Sequence, residues 1–149
     1  METVSLAALD HAAESVGDRW MLLILAALLD GSRRYGELQE RIGSISTSAL
    51  AQRLASLEAK GLVLAEPYSR RPMRVRYALT ADGRALSDAL LALSAWGADR
   101  YGEVEEIGPT HAACGSRLEI HWHCPTCDIE VGEPGGPTGE IAEAATFTA

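Results

Sequence analysis

Apolar positions at helical spacing dominate the first third of the chain. Residues 6–16 form an amphipathic pattern that predicts a short first helix. Residues 20–29 are apolar nearly all round, which is typical of a helix at the centre of a core, and Asp18 is placed to cap it. A third short helix is predicted over residues 35–42.

The pattern then changes from helical to strand spacing. Ser46 is a good helix cap, and Leu50, Leu54 and Leu57 recur on one face of a predicted helix over residues 46–60. The remaining predicted elements are strand 62–66, basic loop 67–73, return strand 74–79 and a long helix 80–101. This order predicts a mainly α fold with a small β-hairpin, the winged helix-turn-helix, whose second paired helix enters the major groove of DNA.

A change of composition after residue 107 divides the chain. We expect a winged-helix domain over residues 1–103, a small zinc-ribbon or knuckle-like extension over 108–132, and a flexible tail over 133–149. The longest apolar run has ten residues, whereas a membrane span needs about 20. We therefore expect a cytoplasmic protein without membrane contact.

The net charge of −8 conceals a segregation of charge along the chain. Residues 19–84 hold 11 of the 13 Lys and Arg residues but only 6 of the 21 Asp and Glu residues. That segment has a surplus of five positive charges, and the remainder has a surplus of 13 negative charges. A polyanion such as DNA would have to approach residues 19–84.

The predicted helix 46–60 has an outward face that suits DNA reading. With its leucines inward, Ser48 and Gln52 point outward, and Arg53, which lies between the two faces, is a further candidate for DNA contact. Small polar side chains can hydrogen-bond base edges, and Ser46 and Thr47 add hydroxyls at a helix N-terminus, a place that suits phosphate. An ordinary surface helix capped by serine is the alternative interpretation.

Four arginines within seven residues surround the predicted hairpin loop: Arg70, Arg71, Arg74 and Arg76. Like charges on a protruding loop repel one another without a partner, but they suit DNA phosphates or a narrow minor groove. A solvated charge run is the alternative interpretation. Arg33 and Arg34, ahead of the third helix, are further candidates for phosphate contact.

Seven motifs, in this order, resemble the HxlR-type winged helix-turn-helix regulators of the MarR-like superfamily. They are GDRW at 17–20, LLIL at 22–25, GSRRYGEL at 31–38, IS at 45–46, LAQRL at 50–54, LEAKGLV at 57–63 and YALTADGR at 77–84. The resemblance covers about residues 6–100, and the ordered set is specific where no single motif is.

The resemblance implies a transcription regulator that binds double-stranded DNA as a homodimer through its first and last helices. The residues expected at the dimer interface are Leu6, Leu9, Leu86, Leu90, Leu93 and Trp96. Packing of the last-helix residues on their own domain is an equally simple interpretation. Two reading helices about one DNA turn apart predict an imperfect palindrome as operator, and such a regulator leaves room for an unidentified small-molecule effector.

Two departures from the family pattern limit what the resemblance implies. Ala7 stands where many relatives carry a cysteine, which in some is an oxidant sensor, so thiol sensing from that position is absent. Thr47 and Ser48 stand where relatives often have Pro-Lys, so the base preference of relatives does not transfer.

The extension contains residues with the spacing of metal ligands. His111 and Cys114 form one pair with two intervening residues, and Cys124 and Cys127 form another. Three thiolates and one imidazole make a closed tetrahedral set, which favours structural Zn²⁺. Free reduced thiols are one alternative, and His121 or His123 as the fourth ligand is another.

Three functional classes remain for this sequence. Sequence-specific DNA binding explains most of its features, and a protein-interaction adaptor that does not read DNA is the alternative. A zinc enzyme would need an open coordination position and a carboxylate base, for which Glu119 and Glu130 are the only nearby candidates. We therefore do not expect an enzyme.

Overall fold

The computed structural model describes residues 4–101, 110–111, 113–119 and 121–131. The chain divides into two compact units, residues 1–93 and 94–149. The predicted domain boundary after residue 103 and the predicted tail over 133–149 lie outside the described residues. Within the described part of the chain, no helix has the length and apolarity that crossing a bilayer requires.

The first unit is mainly helical and confirms the predicted winged-helix architecture. Its helices are α1 Leu6–Val16, α2 Arg19–Ala27, α3 Tyr35–Ile42, α4 Thr47–Ala59 and α5 Ala81–Arg84, followed by α6 Ser87–Tyr101, inside which the division between units falls. Side-chain oxygens cap two of these helices as predicted, Asp18 at α2 and Ser46 at α4, and Thr80 caps α5 in the same way.

Three antiparallel strands complete the first unit. They are β1 Arg33–Arg34, β2 Val63–Arg70 and β3 Met73–Leu79, in the spatial order β1-β3-β2. The β2–β3 hairpin is the wing; its ladder runs from Val63 opposite Leu79 to Arg70 opposite Met73, with an irregularity between Pro67 and Ser69.

The core lies between α2, α3 and α4. The largest fully buried side chains of the described residues are Ile24, Leu25, Leu38, Leu50, Leu54 and Leu57. The predicted stripe on α4 therefore faces inward, and it fixes which face of that helix remains for a partner.

Two predicted elements have wrong bounds, and one strand was missed. The basic loop 67–73 is only Arg71 and Pro72, because strand pairing continues to the tip of the hairpin. The long helix 80–101 is interrupted at residues 85–86, which separates α5 from α6. The two-residue strand β1 was not predicted, since it exists only through its pairing with β3.

The described part of the second unit contains two small antiparallel pairings. Strands β4 Trp122–Cys124 and β5 Ile129–Val131 form a hairpin, and Thr110 bridges to Arg117 in a second one. An ion pair between Arg117 and Asp99, at 2.6 Å, lies in the same unit.

Candidate nucleic-acid interface

The N-terminus of α4 is held by side-chain contacts. The Ser46 hydroxyl accepts a hydrogen bond from the Ala49 amide at 3.2 Å and lies 3.3 Å from the Ser48 hydroxyl. Tyr35 of α3 donates its hydroxyl to the Thr47 carbonyl, and Gln39 donates its amide to the Thr47 hydroxyl. The first helix of the pair thus fixes where the second begins.

The outward face of α4 is exposed and small. Ser46, Thr47, Ser48 and Gln52 are all exposed, as the sequence predicts, and so are Ala51 and Ala55. A face of hydroxyls, one amide and methyl groups can lie close to base edges in a major groove.

Arg53 differs from the prediction, because its guanidinium is held within the protein. Its Nε and Nη2 donate to the two carboxylate oxygens of Asp18 at 3.0 and 3.1 Å, and Nη1 donates to Gln52. The hydrogen bonds from Arg53 are the largest cause that lowers the pKa of Asp18. We therefore regard Arg53 as a residue that positions α4.

Arg33 and Arg34 have different surroundings. Arg33 donates to the Ala27 carbonyl at 2.8 Å and makes a bidentate pair with Asp30, so its guanidinium closes the end of α2. Arg34 is exposed, and its guanidinium stacks 4.7 Å from the centre of the Tyr68 ring on the wing. Of the two, Arg34 is the one that can still face a phosphate.

The wing carries three arginines at or beside its tip. Arg70, Arg71 and Arg74 are exposed, and no acidic side chain of the described residues pairs with them. Arg76, further down β3, pairs with Glu66 at 3.3 Å. The stacking of Tyr68 on Arg34 was not predicted from the sequence, where the position of Tyr68 just before the arginines is its only signal.

The six predicted dimer residues separate into two groups. Leu6, Leu9, Leu93 and Trp96 are exposed, with 77% of Leu6 accessible. The assignment of Leu90 to the interface is corrected, because Leu90 is buried in the core of its own unit, and Leu86 packs against that core. A shallow apolar groove beside α1 is lined by Leu6, Ala7, Leu9, Asp10 and Ala13.

The predicted metal ligands lie at two turns of the second unit. His111 Nδ1 lies 3.2 Å from Cys114 Sγ, and all three cysteines are free thiols. Hydrogen bonds, first from Ser116 and then from His111, lower the pKa of Cys114 to about 7. The amides of Cys127 and Thr126 lower the pKa of Cys124.

Among the described residues, however, no three His, Cys, Asp or Glu side chains converge as a metal-binding group. The zinc site therefore stays a prediction.

Comparison with known proteins places residues 15–106 in one family, described as HxlR-like helix-turn-helix. An uncharacterized HTH-type transcriptional regulator of Mycobacterium tuberculosis is 39% identical over 124 residues, which cover 81% of this chain and 77% of that protein. This match is too long to end at residue 106, where the family match ends, so it continues into the extension. A second uncharacterized HTH-type regulator, from Synechocystis, is 35% identical over 66% of this chain and 73% of its own.

Solved structures agree with this assignment. The redox regulator HypR in its oxidized form has a TM-score of 0.60 and 30% identity, covering 62% of this chain and 96% of that one. The reduced transcriptional regulator YodB from B. subtilis has a TM-score of 0.56 and 34% identity, covering 69% of this chain and all of that one. With the winged helix and these relatives together, the chain belongs to the HxlR-like helix-turn-helix family.

Proposed function

We propose that this protein is a transcription regulator that binds a specific duplex DNA sequence as a homodimer. The observation that carries the proposal is the wing tip, where three exposed arginines have no acidic partner among the described residues. Holding like charges together without a partner is unfavourable, and DNA phosphates supply the missing charge. The relatives named as HTH-type transcriptional regulators support the same conclusion.

The proposal gives separate roles to α4 and to the wing. Ser48 and Gln52 read base edges in the major groove, and Ser46 and Thr47 contact phosphate at the start of α4. Arg70, Arg71 and Arg74 contact the backbone or the minor groove beside it, and Arg34 adds a phosphate contact. Arg53 acts indirectly by holding α4 against Asp18.

The homodimer part of the proposal relies on the exposed leucines. Leu6 and Leu9 border the groove beside α1, and Leu93 is 49% exposed. Apolar side chains of this size gain about 1.5–3 kcal/mol each when they are fully removed from water, so a second subunit is a favourable cover for them. Two copies would bind two half-sites of a palindromic operator.

Oxidant sensing by a thiol of the winged helix is not part of this proposal. HypR is a redox regulator by name, but the first 113 residues of this chain contain no cysteine.

The decisive experiment is selection of bound duplexes from a random pool with the full-length protein. We expect enrichment of an imperfect palindrome. Failure to enrich any duplex contradicts the proposal and favours the adaptor alternative.

The role of the wing is tested by the triple variant Arg70→Ala, Arg71→Ala, Arg74→Ala, measured by fluorescence anisotropy across a salt series. Each phosphate contact contributes about 0.9 to the slope of log K against log salt concentration, so the slope should fall by up to about 2.7 per wing. Arg84→Ala, which removes an exposed arginine of α5, is the matched control and should leave the slope unchanged. An unchanged slope in the triple variant contradicts backbone binding by the wing.

A further inference from the structure

Two turns in the second unit share one backbone geometry. In the first turn the His111 carbonyl accepts hydrogen bonds from the Cys114 amide at 3.3 Å and the Gly115 amide at 2.8 Å. Gly115 has a φ of 71°, the left-handed conformation that glycine favours. The bridge between Thr110 and Arg117 closes a small hairpin around this turn.

The second turn repeats this arrangement without a glycine. The Cys124 carbonyl accepts a hydrogen bond from the Asp128 amide at 2.8 Å. Asp128 has a φ of 55°, and it is the one non-glycine residue of the described chain with a positive φ. β4 and β5 close the hairpin around this turn as Thr110 and Arg117 close the first.

The two turns therefore share the spacing of their potential ligands and the hydrogen bond that closes the turn. Each starts with a potential ligand, has another three positions later, and ends with a left-handed residue at the fourth position. Asp128 takes the conformation that Gly115 has in the first turn; aspartate is among the residues that tolerate it. Two ligand pairs, each with two intervening residues, are a common way for a protein to hold one tetrahedral ion.

We propose that His111, Cys114, Cys124 and Cys127 bind one tetrahedral divalent ion of the zinc class. Thiolate and imidazole ligands select such an ion over Mg²⁺ or Ca²⁺, which prefer oxygen. His111 Nδ1 and Cys114 Sγ already lie 3.2 Å apart, close to the roughly 3.5 Å that a tetrahedral zinc sets between nitrogen and sulfur ligands. No three such groups converge within the described residues, so binding by all four ligands requires the two turns to approach each other around the ion.

The structure favours His111 over the other two histidines as the fourth ligand. His121 faces two carboxylates, with Nε2 at 3.4 Å from Glu119 and Nδ1 at 3.3 Å from Glu130. His123 Nε2 lies 3.1 Å from the Asp128 carboxylate. The His111 ring instead lies beside a potential ligand of the same ion, Cys114.

The test is metal binding by the full-length protein purified under reducing conditions. We expect one Zn²⁺ per chain by elemental analysis. Replacement by Co²⁺ should give the visible absorption of a tetrahedral site and a thiolate-to-metal charge-transfer band. A protein that takes up neither ion overturns the proposal, and so does an octahedral Co²⁺ spectrum without charge transfer.

The ligand set is tested by single variants. Cys114→Ser, Cys124→Ser and Cys127→Ser should each weaken the charge-transfer band and lower zinc affinity by at least tenfold, and His111→Asn should lower the affinity while keeping the band. His121→Asn and His123→Asn are matched controls and should bind as the wild type does. Loss of binding in a control with retention in His111→Asn overturns the assignment. Helical circular dichroism of each variant checks that the first unit stays folded.

Discussion

At the scale of single residues, Asp18 and Arg53 join two helices across 35 positions of chain. Asp18 accepts from the amides of Trp20 and Met21 at the start of α2, and both of its oxygens also receive the Arg53 guanidinium. One carboxylate therefore caps α2 and sets the position of the helix proposed to read DNA.

The first prediction concerns the pH dependence of this pair. The lowered pKa of Asp18 means that its stabilising contribution is present above the ordinary value of about 3.9 and is lost as pH falls through the lowered value. Asp18→Asn keeps a good helix cap but removes the charge, so it should be less stable than wild type at neutral pH. Urea unfolding should show the difference narrowing below about pH 4. A difference that stays constant down to acid would contradict the ion-pair explanation.

The second prediction separates base reading from backbone binding. Gln52→Ala should weaken binding to the selected operator by about 1–3 kcal/mol, because a base-edge hydrogen bond is lost. The loss should be smaller on a duplex in which the base pair contacted by Gln52 is already changed. Arg70→Ala should instead weaken all duplexes by a similar factor. Binding assays on a panel of single-base operator variants make the comparison. A uniform loss for Gln52→Ala would remove that residue from base reading.

At the scale of elements, α5 packs closely against the segment that joins α4 to β2. A Cβ at Gly83 would lie 2.1 Å from the Leu62 carbonyl oxygen. That same carbonyl accepts the Thr80 amide at 3.1 Å, and the Thr80 hydroxyl donates to the Gly61 carbonyl. The start of α5 therefore lies directly against the backbone of residues 61–62, and the absence of a side chain at Gly83 permits this close approach.

The third prediction follows from that contact. Gly83→Ala should destabilise the protein by about 1–3 kcal/mol, since backbone must move to admit the methyl group. Gly36→Ala in α3 meets nothing within 4 Å, and it should be neutral or stabilising by up to about 1 kcal/mol. Denaturant midpoints of the two variants decide the matter. Equal stability of both would show that α5 can shift at no cost.

The elements that the sequence predicts well are those whose signal is local. Helices α1 to α4 follow from apolar periodicity, and the caps Asp18 and Ser46 follow from side-chain chemistry. The wing was predicted too short because an exposed ladder needs only backbone hydrogen bonds, and polar residues such as Ser69 and Arg70 make those equally well.

The parts of the site that could not be predicted depend on contacts distant in sequence. Arg53 is the residue type expected at a DNA contact. Its pairing with Asp18 could not be predicted, because only the fold brings the two side chains together. Leu90 lies on the same helical stripe as the expected interface residues. Its burial in the core of its own unit is visible only in the folded structure. The exposure of Ser48, Gln52 and the wing arginines was predictable, because the leucine stripe of α4 and the charge of the wing tip already indicate which side chains face solvent.

At the scale of the whole molecule, the proposed dimer bears on how an acidic chain binds DNA. Each chain carries a net charge of −8 while its basic surplus is confined to residues 19–84. A dimer doubles the number of basic surfaces available to one duplex, and two linked half-site contacts bind more tightly than either alone. Because a dimer doubles the acidic remainder as well, the gain in affinity is expected from the linkage of the two half-site contacts.

The last prediction tests that dependence at α1. The double variant Leu6→Glu, Leu9→Glu places two charges beside the apolar groove and should convert a dimer into a monomer of 15.9 kDa. Ala12→Glu adds a charge to the same helix outside the groove lining and should remain a dimer. Light scattering gives the masses, and anisotropy should show operator affinity lower by roughly 100-fold or more in the double variant, since its half-sites are no longer linked. A monomeric variant with wild-type affinity would contradict binding as a dimer. A variant that stays dimeric would place the subunit contact elsewhere than α1.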